Sequence, residues 1–328
     1  MTIIYQKYYQ GPRMQGRRES EFLDRINGVF IYFVACAIRH CLKLWKTGEL
    51  KQGAPISITD MSYRAAPLQR FKRLVEFKCQ LLLLTATLPL TEEPQFVNTM
   101  GLTSEMRLQT MRCATGWPNL HCRVLGIPRA VGRNCDILGP PLMNLLRERA
   151  ILALGERGII LCLFVHDLEV YQSMIHRNGA LCYQPQIYHS KLGESLRSNT
   201  LAKWLDIGGW ILATKGLGVG IDVPKLRMVI HMSFGQQDTL MEYSQQVGRA
   251  AWDGISGFCY CLHVHEDPES MSTALTPGSE ALSNYLYATA CRRQTLGAYL
   301  DSEAAICGAG DSPCDFCDDT LSWGLTPP

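Results

Sequence analysis

Long apolar runs are missing from this chain. The longest, Val29 to Ile38, is followed at once by Arg39 and His40. It is about half the length of a membrane-spanning helix, so it reads as a buried helix or strand and no membrane contact is expected. No secretory leader is expected either: the chain opens Met-Thr-Ile-Ile-Tyr-Gln-Lys, without a basic start and apolar core. Charge of one sign is scarce. Lys and Arg number 32 against 30 Asp and Glu, a net charge of +2. Nucleic-acid contact must therefore come from local patches, not from a globally basic surface. The pattern G-x-x-x-x-G-K-[ST] occurs nowhere in the chain. This excludes the glycine-rich loop that commonly cradles nucleotide phosphates.

What is present is apolar content and cysteine. With 328 residues, 47% of them apolar, the chain is long enough for two domains of ordinary size. Its 14 cysteines, scattered and without a leader, point to a reducing compartment, where thiols fill cores or bind metals.

Pattern is weak over residues 1–59. Beyond Asp60, Leu68, Phe71, Leu74, Val75 and Phe77 share a helical face. The apolar run Leu81 to Leu84, closed by Thr85-Ala86-Thr87-Leu88-Pro89, fits a buried parallel strand. Residues 116–139 hold Gly, Pro and Cys without period and read as a connection or a peripheral strand. Periodicity then predicts helices over 141–154, 168–177, 195–205 and 241–247. Unbroken apolar stretches predict strands over 159–165, 210–214, 228–231 and 258–263. Strands alternating with helices imply a parallel sheet with helices on both faces, an α/β domain over residues 140–265. Residues 280–320 change to helix and cysteine loop.

Several segments carry chemistry. Thr214 and Lys215 stand where a strand turns toward a helix, followed by glycines 216, 218 and 220. Backbone N–H groups and a hydroxyl at such a turn can hold a phosphate, or the turn can serve packing alone. Arg249 suits phosphate charge, and Gln245, one turn earlier, would share its face; an arginine in a surface ion pair is the other reading. His189 is either a contact residue or a structural histidine. Cys291 is separated from Cys307 by 15 residues, Cys307 from Cys314 by six, and Cys314 from Cys317 by two. Two thiolates on one tight turn make half of a tetrahedral zinc site, with Cys291 expected from the end of a helix and Cys307 from a loop. A redox dithiol at Cys314 and Cys317 is the alternative.

In order and spacing these segments resemble the motifs of RecQ-family ATP-dependent DNA helicases of superfamily 2, fungal RecQ-like members in particular. The resemblance runs from Asp60 to Asp318, about four-fifths of the chain. Leu84 to Pro89 is similar to the third motif, Gly158 to Val165 to the fourth, Ala213 to Pro224 to the fifth, and Gln245, Gly248 and Arg249 to the sixth. Cys291, Cys307, Cys314 and Cys317 match the family's zinc subdomain. The resemblance implies a RecA-like second lobe over 140–265, a remnant of a first lobe over 60–115 and a small helical zinc module over 280–320. It implies ATP with Mg²⁺ held in part by Gly220, Asp222 and Arg249, although Asp222 could simply cap a turn. It implies single-stranded or forked DNA held by Thr214, Lys215 and His189, coupling through Thr85 and Thr87, structural Zn²⁺, and a nuclear location.

The chain also departs from the family pattern. Ala251 and Trp252 interrupt the sixth motif, and the family places a second arginine where Trp252 stands. An arginine finger is worth roughly 10³–10⁵ in rate, about 4–7 kcal/mol of barrier. No Asp-Glu-x-His box precedes Thr85, so the acids of a Mg²⁺ site are missing too. The expectation is a 3′–5′ DNA helicase by family that is truncated or catalytically impaired as this chain. The alternatives are a non-enzymatic single-stranded-DNA-binding module and an inert relic. Whether a partner supplies a missing lobe is left open.

Overall fold

The computed structural model describes residues 88–99, 115–149, 151–218, 223–265, 276–301 and 305–318. The chain divides into two units, 1–113 and 114–328. In the first, the described residues form a 3₁₀ turn, Leu90–Glu92, and a helix, Glu93–Thr99. The expected helix near 63–78 and strand at 81–84 lie outside the described residues.

The second unit is a six-stranded sheet with every pairing parallel. Its strands are β1 (Leu120–Ile127), β2 (Arg157–Cys162), β3 (Gln186–Tyr188), β4 (Gly209–Thr214), β5 (Leu226–Met232) and β6 (Gly257–Val264). They lie in the order β1-β6-β5-β2-β4-β3. The helices are α1 (Asn134–Glu148), α2 (Val165–Arg177), α3 (Glu194–Ile207), α4 (Leu240–Val247), α5 (Pro277–Leu286) and α6 (Arg292–Leu300).

The two-residue period of a strand explains both cores. Ile159, Leu161, Ile211, Ala213, Val229, Cys259 and Cys261 face one side, where Trp204 of α3, Tyr243 of α4, Tyr285 of α5 and Leu296 of α6 cover them. Their neighbours Ile160, Cys162, Trp210, Leu212, Ile230, Tyr260 and Leu262 face the other side, under Leu142 and Leu146 of α1 and Tyr171 and Ile175 of α2. Each fully buried Leu or Ile contributes roughly 1.5–3 kcal/mol. A strand buried on both faces therefore reads as an unbroken apolar run, which is what β2, β4 and β5 show.

Two expectations change, and one strand is new. The lobe begins before residue 140: of the two readings of 116–139, the peripheral strand is observed as β1, paired to β6 along its full length. The helix expected from Pro141 starts at Asn134 and runs through Pro140 and Pro141. Cys135, Leu138, Leu142, Leu145 and Leu146 are all buried, and that stripe offsets the backbone hydrogen bonds the prolines cannot make. Edge strand β3 has only three residues, too few for alternation to show.

Candidate nucleotide and nucleic-acid site

The C-terminal ends of the inner strands finish level. Cys162 of β2 pairs with Thr214 of β4 and Met232 of β5, and Tyr188 of β3 pairs with Ala213. In open α/β sheets this is the edge that binds ligands. Thr214 ends β4, Lys215 opens the 3₁₀ turn after it, and His189 follows β3. The structure thus brings these three expected DNA contacts to one edge. The His189 ring has a buried Nδ1 without a hydrogen-bond partner.

Lys215 and His231 line a recess with Asp238, Glu242 and Gln246. The Lys215 ammonium pairs with the Asp238 carboxylate, whose other oxygen accepts the Gly235 N–H at 2.9 Å. Burial lowers the pKa of Lys215, and Glu242 opposes that shift. Burial also holds His231 down to about 4, against its contact with Gln246. Its imidazole is therefore neutral at pH 7. Nε2 lies 2.7 Å from Gln246 Oε1, an oxygen that can only accept, so the ring proton is assigned to Nε2.

Helix α4 starts beside this recess. Thr239 Oγ1 accepts the Glu242 N–H at 3.2 Å, and Glu242 Oε2 accepts the Thr239 N–H at 3.3 Å, a reciprocal cap. The helix then runs back along β5 for eight residues, about 12 Å. Gln245 is exposed on it, whereas Gln246 is buried and reaches the recess. Arg249, half-buried, follows the last turn, and burial lowers its pKa. Two residues on, the Ala251 N–H meets the carbonyl of Leu226, the first residue of β5, at 2.9 Å. Lys215 and Arg249 thus sit at opposite ends of α4. Gly220, Asp222, Thr85 and Thr87 lie outside the described residues.

The turn after Arg249 is firmly held. Ala251 has φ +62°, a left-handed conformation that favours glycine. Its carbonyl accepts Asn119 Nδ2–H at 2.8 Å, and the same amide donates to the Ile255 carbonyl at 3.1 Å. The Arg227 guanidinium, buried at the start of β5, donates to both oxygens of Asp253, at 2.9 and 2.5 Å, and to Glu156 at 2.9 Å. This fork holds the Asp253 carboxyl below the usual range, against some burial. The exposed Trp252 donates its indole N–H to the Gly248 carbonyl, so it closes the end of α4 and supplies no charge. A Cβ on Gly248 would lie 2.5 Å from Trp117 Cζ2, so only glycine fits. Asn119, Trp117 and Arg227 were not anticipated. An arginine between Leu226 and Met228 in a buried strand was the one available signal.

The four predicted cysteines converge. Sγ atoms of Cys291, Cys307, Cys314 and Cys317 all lie within 4.8 Å of one another. Cys291 is 3.6 Å from Cys307 and 3.8 Å from Cys314. Four thiolates at about 2.3 Å from a tetrahedral ion would stand about 3.8 Å apart, whereas a disulfide needs about 2.05 Å. The donor set fits a thiophilic tetrahedral ion such as Zn²⁺ and leaves no open position. Contrary to expectation, Cys291 stands at the start of a helix, as the residue that caps α6. Burial raises its pKa, but backbone hydrogen bonds from Gln294 and Cys307 and contacts with its partner thiols outweigh that and bring it to about 7. The Arg292 N–H also points at Cys314 Sγ, at 3.4 Å.

Comparison with known proteins agrees with this geometry. Residues 142–254, which carry β2 through α4 and the turn beyond, match the helicase conserved C-terminal domain. The RecQ-like DNA helicase blm-1 of Caenorhabditis elegans is 29% identical over 199 residues, covering 54% of this chain and 19% of that protein. The RecQ-like DNA helicase BLM of Xenopus laevis is 32% identical over 115 residues, 34% of this chain and 8% of that protein. The ATP-dependent helicase SGS1 of Saccharomyces cerevisiae is 28% identical over 181 residues, 50% of this chain and 12% of that protein. The chain therefore spans less than a fifth of the length of these relatives. With the lobe, its motif order and its relatives in agreement, the chain carries a helicase conserved C-terminal domain, folded as a RecA-like second lobe, and is similar to RecQ-like DNA helicases.

Proposed function

We propose that this chain is the nucleic-acid-holding half of a RecQ-type DNA helicase, one that binds single-stranded or forked DNA but does not hydrolyse ATP as these 328 residues. One observation carries the reading: His189, Thr214 and Lys215 meet at the C-terminal edge of adjoining strands β3 and β4. A phosphate there would meet the Thr214 hydroxyl, backbone N–H groups of the turn and the Lys215 ammonium. In a complete motor of this family, ATP with Mg²⁺ would sit between two lobes and touch Gly220, Asp222 and Arg249. Gln245 would share the face of Arg249, and Thr85 and Thr87 would couple the lobes. Stepping would run 3′ to 5′, and the location would be nuclear, in DNA repair and recombination.

Here the phosphate loop and the acidic box are absent from the sequence, and Trp252 stands in the second arginine position, turned to the end of α4. A Zn²⁺ ion held by Cys291, Cys307, Cys314 and Cys317 would stabilise the fold and take no part in chemistry. DNA-stimulated phosphate release tests the impaired activity: turnover at the background rate is expected, and robust release refutes it. Fluorescence anisotropy with labelled single strands tests the binding. Lys215→Ala is expected to weaken binding to all sequences and to reduce the salt slope by about one. No binding at low salt removes the reading and leaves the inert relic.

A further inference from the structure

Parallel sheets leave two edges of unpaired backbone groups, a standing invitation to unwanted pairing. Here β3 is one edge and β1 the other. The β1 edge is covered by the cysteine segment. Asp315, between Cys314 and Cys317, donates its N–H to the Cys122 carbonyl at 3.0 Å, and its Oδ2 accepts the Val124 N–H at 3.0 Å. Ser312 donates its N–H to the Pro118 carbonyl at 2.6 Å. Side chains on the far face of β1 hold the flanks of the same turn. His121 Nδ1 lies 3.1 Å from the Pro313 carbonyl, and Arg123 donates to Asp318 at 2.6 Å. The Asp315 carboxylate also takes two bonds from Arg292 Nε, at 2.9 and 3.1 Å, and one from Nη2, at 3.0 Å. Arg292 directly follows Cys291, so one residue links the edge strand, the helix start and the sulfur cluster.

We propose that the turn from Cys314 to Cys317 is a metal-operated clasp on the β1 edge. Its thiolates hold the ion while Asp315 holds the strand. Filling the four-sulfur site fixes Asp315 against Cys122 and Val124; emptying it releases the edge without unfolding the centre of the sheet. The coupling is reciprocal, so weakening the Asp315 contacts weakens the grip on the metal by the same factor. The proposal rests on the reading that these cysteines bind Zn²⁺, so metal content is measured separately from strand protection.

The experiment is hydrogen exchange with mass spectrometry on the full chain under reducing conditions, zinc-loaded and after chelation, with zinc counted by elemental mass spectrometry. Stripping is expected to lower protection over 120–127 by about tenfold while 209–214 keeps its protection. Asp315→Ala, which retains all four thiols, is expected to lose β1 protection with β4 intact, whether or not it keeps its zinc. Unchanged β1 protection in verified metal-free protein overturns the clasp, as does equal loss at β1 and β4. So does Asp315→Ala with β1 protection intact. A chain that carries no zinc when purified and takes none up overturns the metal reading itself, and the clasp with it.

Discussion

Asp253 belongs to a motif usually read as motor chemistry, yet its carboxylate is tied to the base of β5. Asp253→Asn removes one charge and leaves the shape. Breaking a buried ion pair costs about 3–5 kcal/mol. Two features reduce that figure here: the Asp253 side chain is 37% exposed, and Glu156 remains as a second partner of Arg227. A loss of about 2 kcal/mol is expected at pH 7, which lowers the melting temperature by about 4–8 °C for a unit of this size. The pH dependence has a definite sign. The folded pKa of Asp253 is depressed, first by its bond to Arg227. Its contribution is therefore complete above the unfolded value of about 3.9 and fades as pH falls through the folded value. Urea unfolding of both proteins at pH 7, 5 and 3.5 checks this, because the difference between them cancels other titrations. The gap should be equal at pH 7 and 5 and narrower at 3.5. Equal stabilities at pH 7, or a gap that acid leaves unchanged, would refute the assignment of Asp253 as a structural anchor.

Gly248→Ala would place a methyl against the Trp117 ring and the Ser244 carbonyl, at 2.5 and 2.9 Å. A loss of about 1–3 kcal/mol is expected in a thermal melt. His231 and His263 are both held down to about 4, chiefly by burial. A lowered histidine pKa gives stability that is complete above the unfolded value of about 6.5 and is lost as pH falls toward 4. The midpoint urea concentration of the wild-type protein should drop between pH 6.5 and 4.5, and replacing His231 with Gln should flatten that drop. Cys314→Ser is expected to abolish zinc stoichiometry, read by elemental mass spectrometry; a full equivalent of zinc in that variant would exclude a four-sulfur ion.

The lobe was legible because burial on both faces writes strands as apolar runs and helices as periodic stripes. Ile159–Cys162 and Gly209–Thr214 needed little more than that. The cysteine cluster was legible in its spacing, since two residues between Cys314 and Cys317 leave few geometries. β1 was less clear because His121 and Arg123 interrupt it, and the partners that make them tolerable, Phe258 stacked at 4.4 Å and Asp318, are distant in sequence. The same reason hid the Arg227 fork: a buried charge is explained only by partners that folding brings near. Gln246 was passed over for Gln245 because a one-residue step on a helix, about 100°, decides which amide faces inward.

The short helix α4 has a consequence for any motor built on this lobe. It is a stiff rod capped at one end beside the Lys215 ammonium and ended at the other by the Gly248–Arg249 turn. Lys215 itself stands off the helix and reaches it through Asp238, the residue before the Thr239 cap. In a motor of the proposed kind, a pull on the lysine would reach the arginine only by way of that ion pair and the helix behind it.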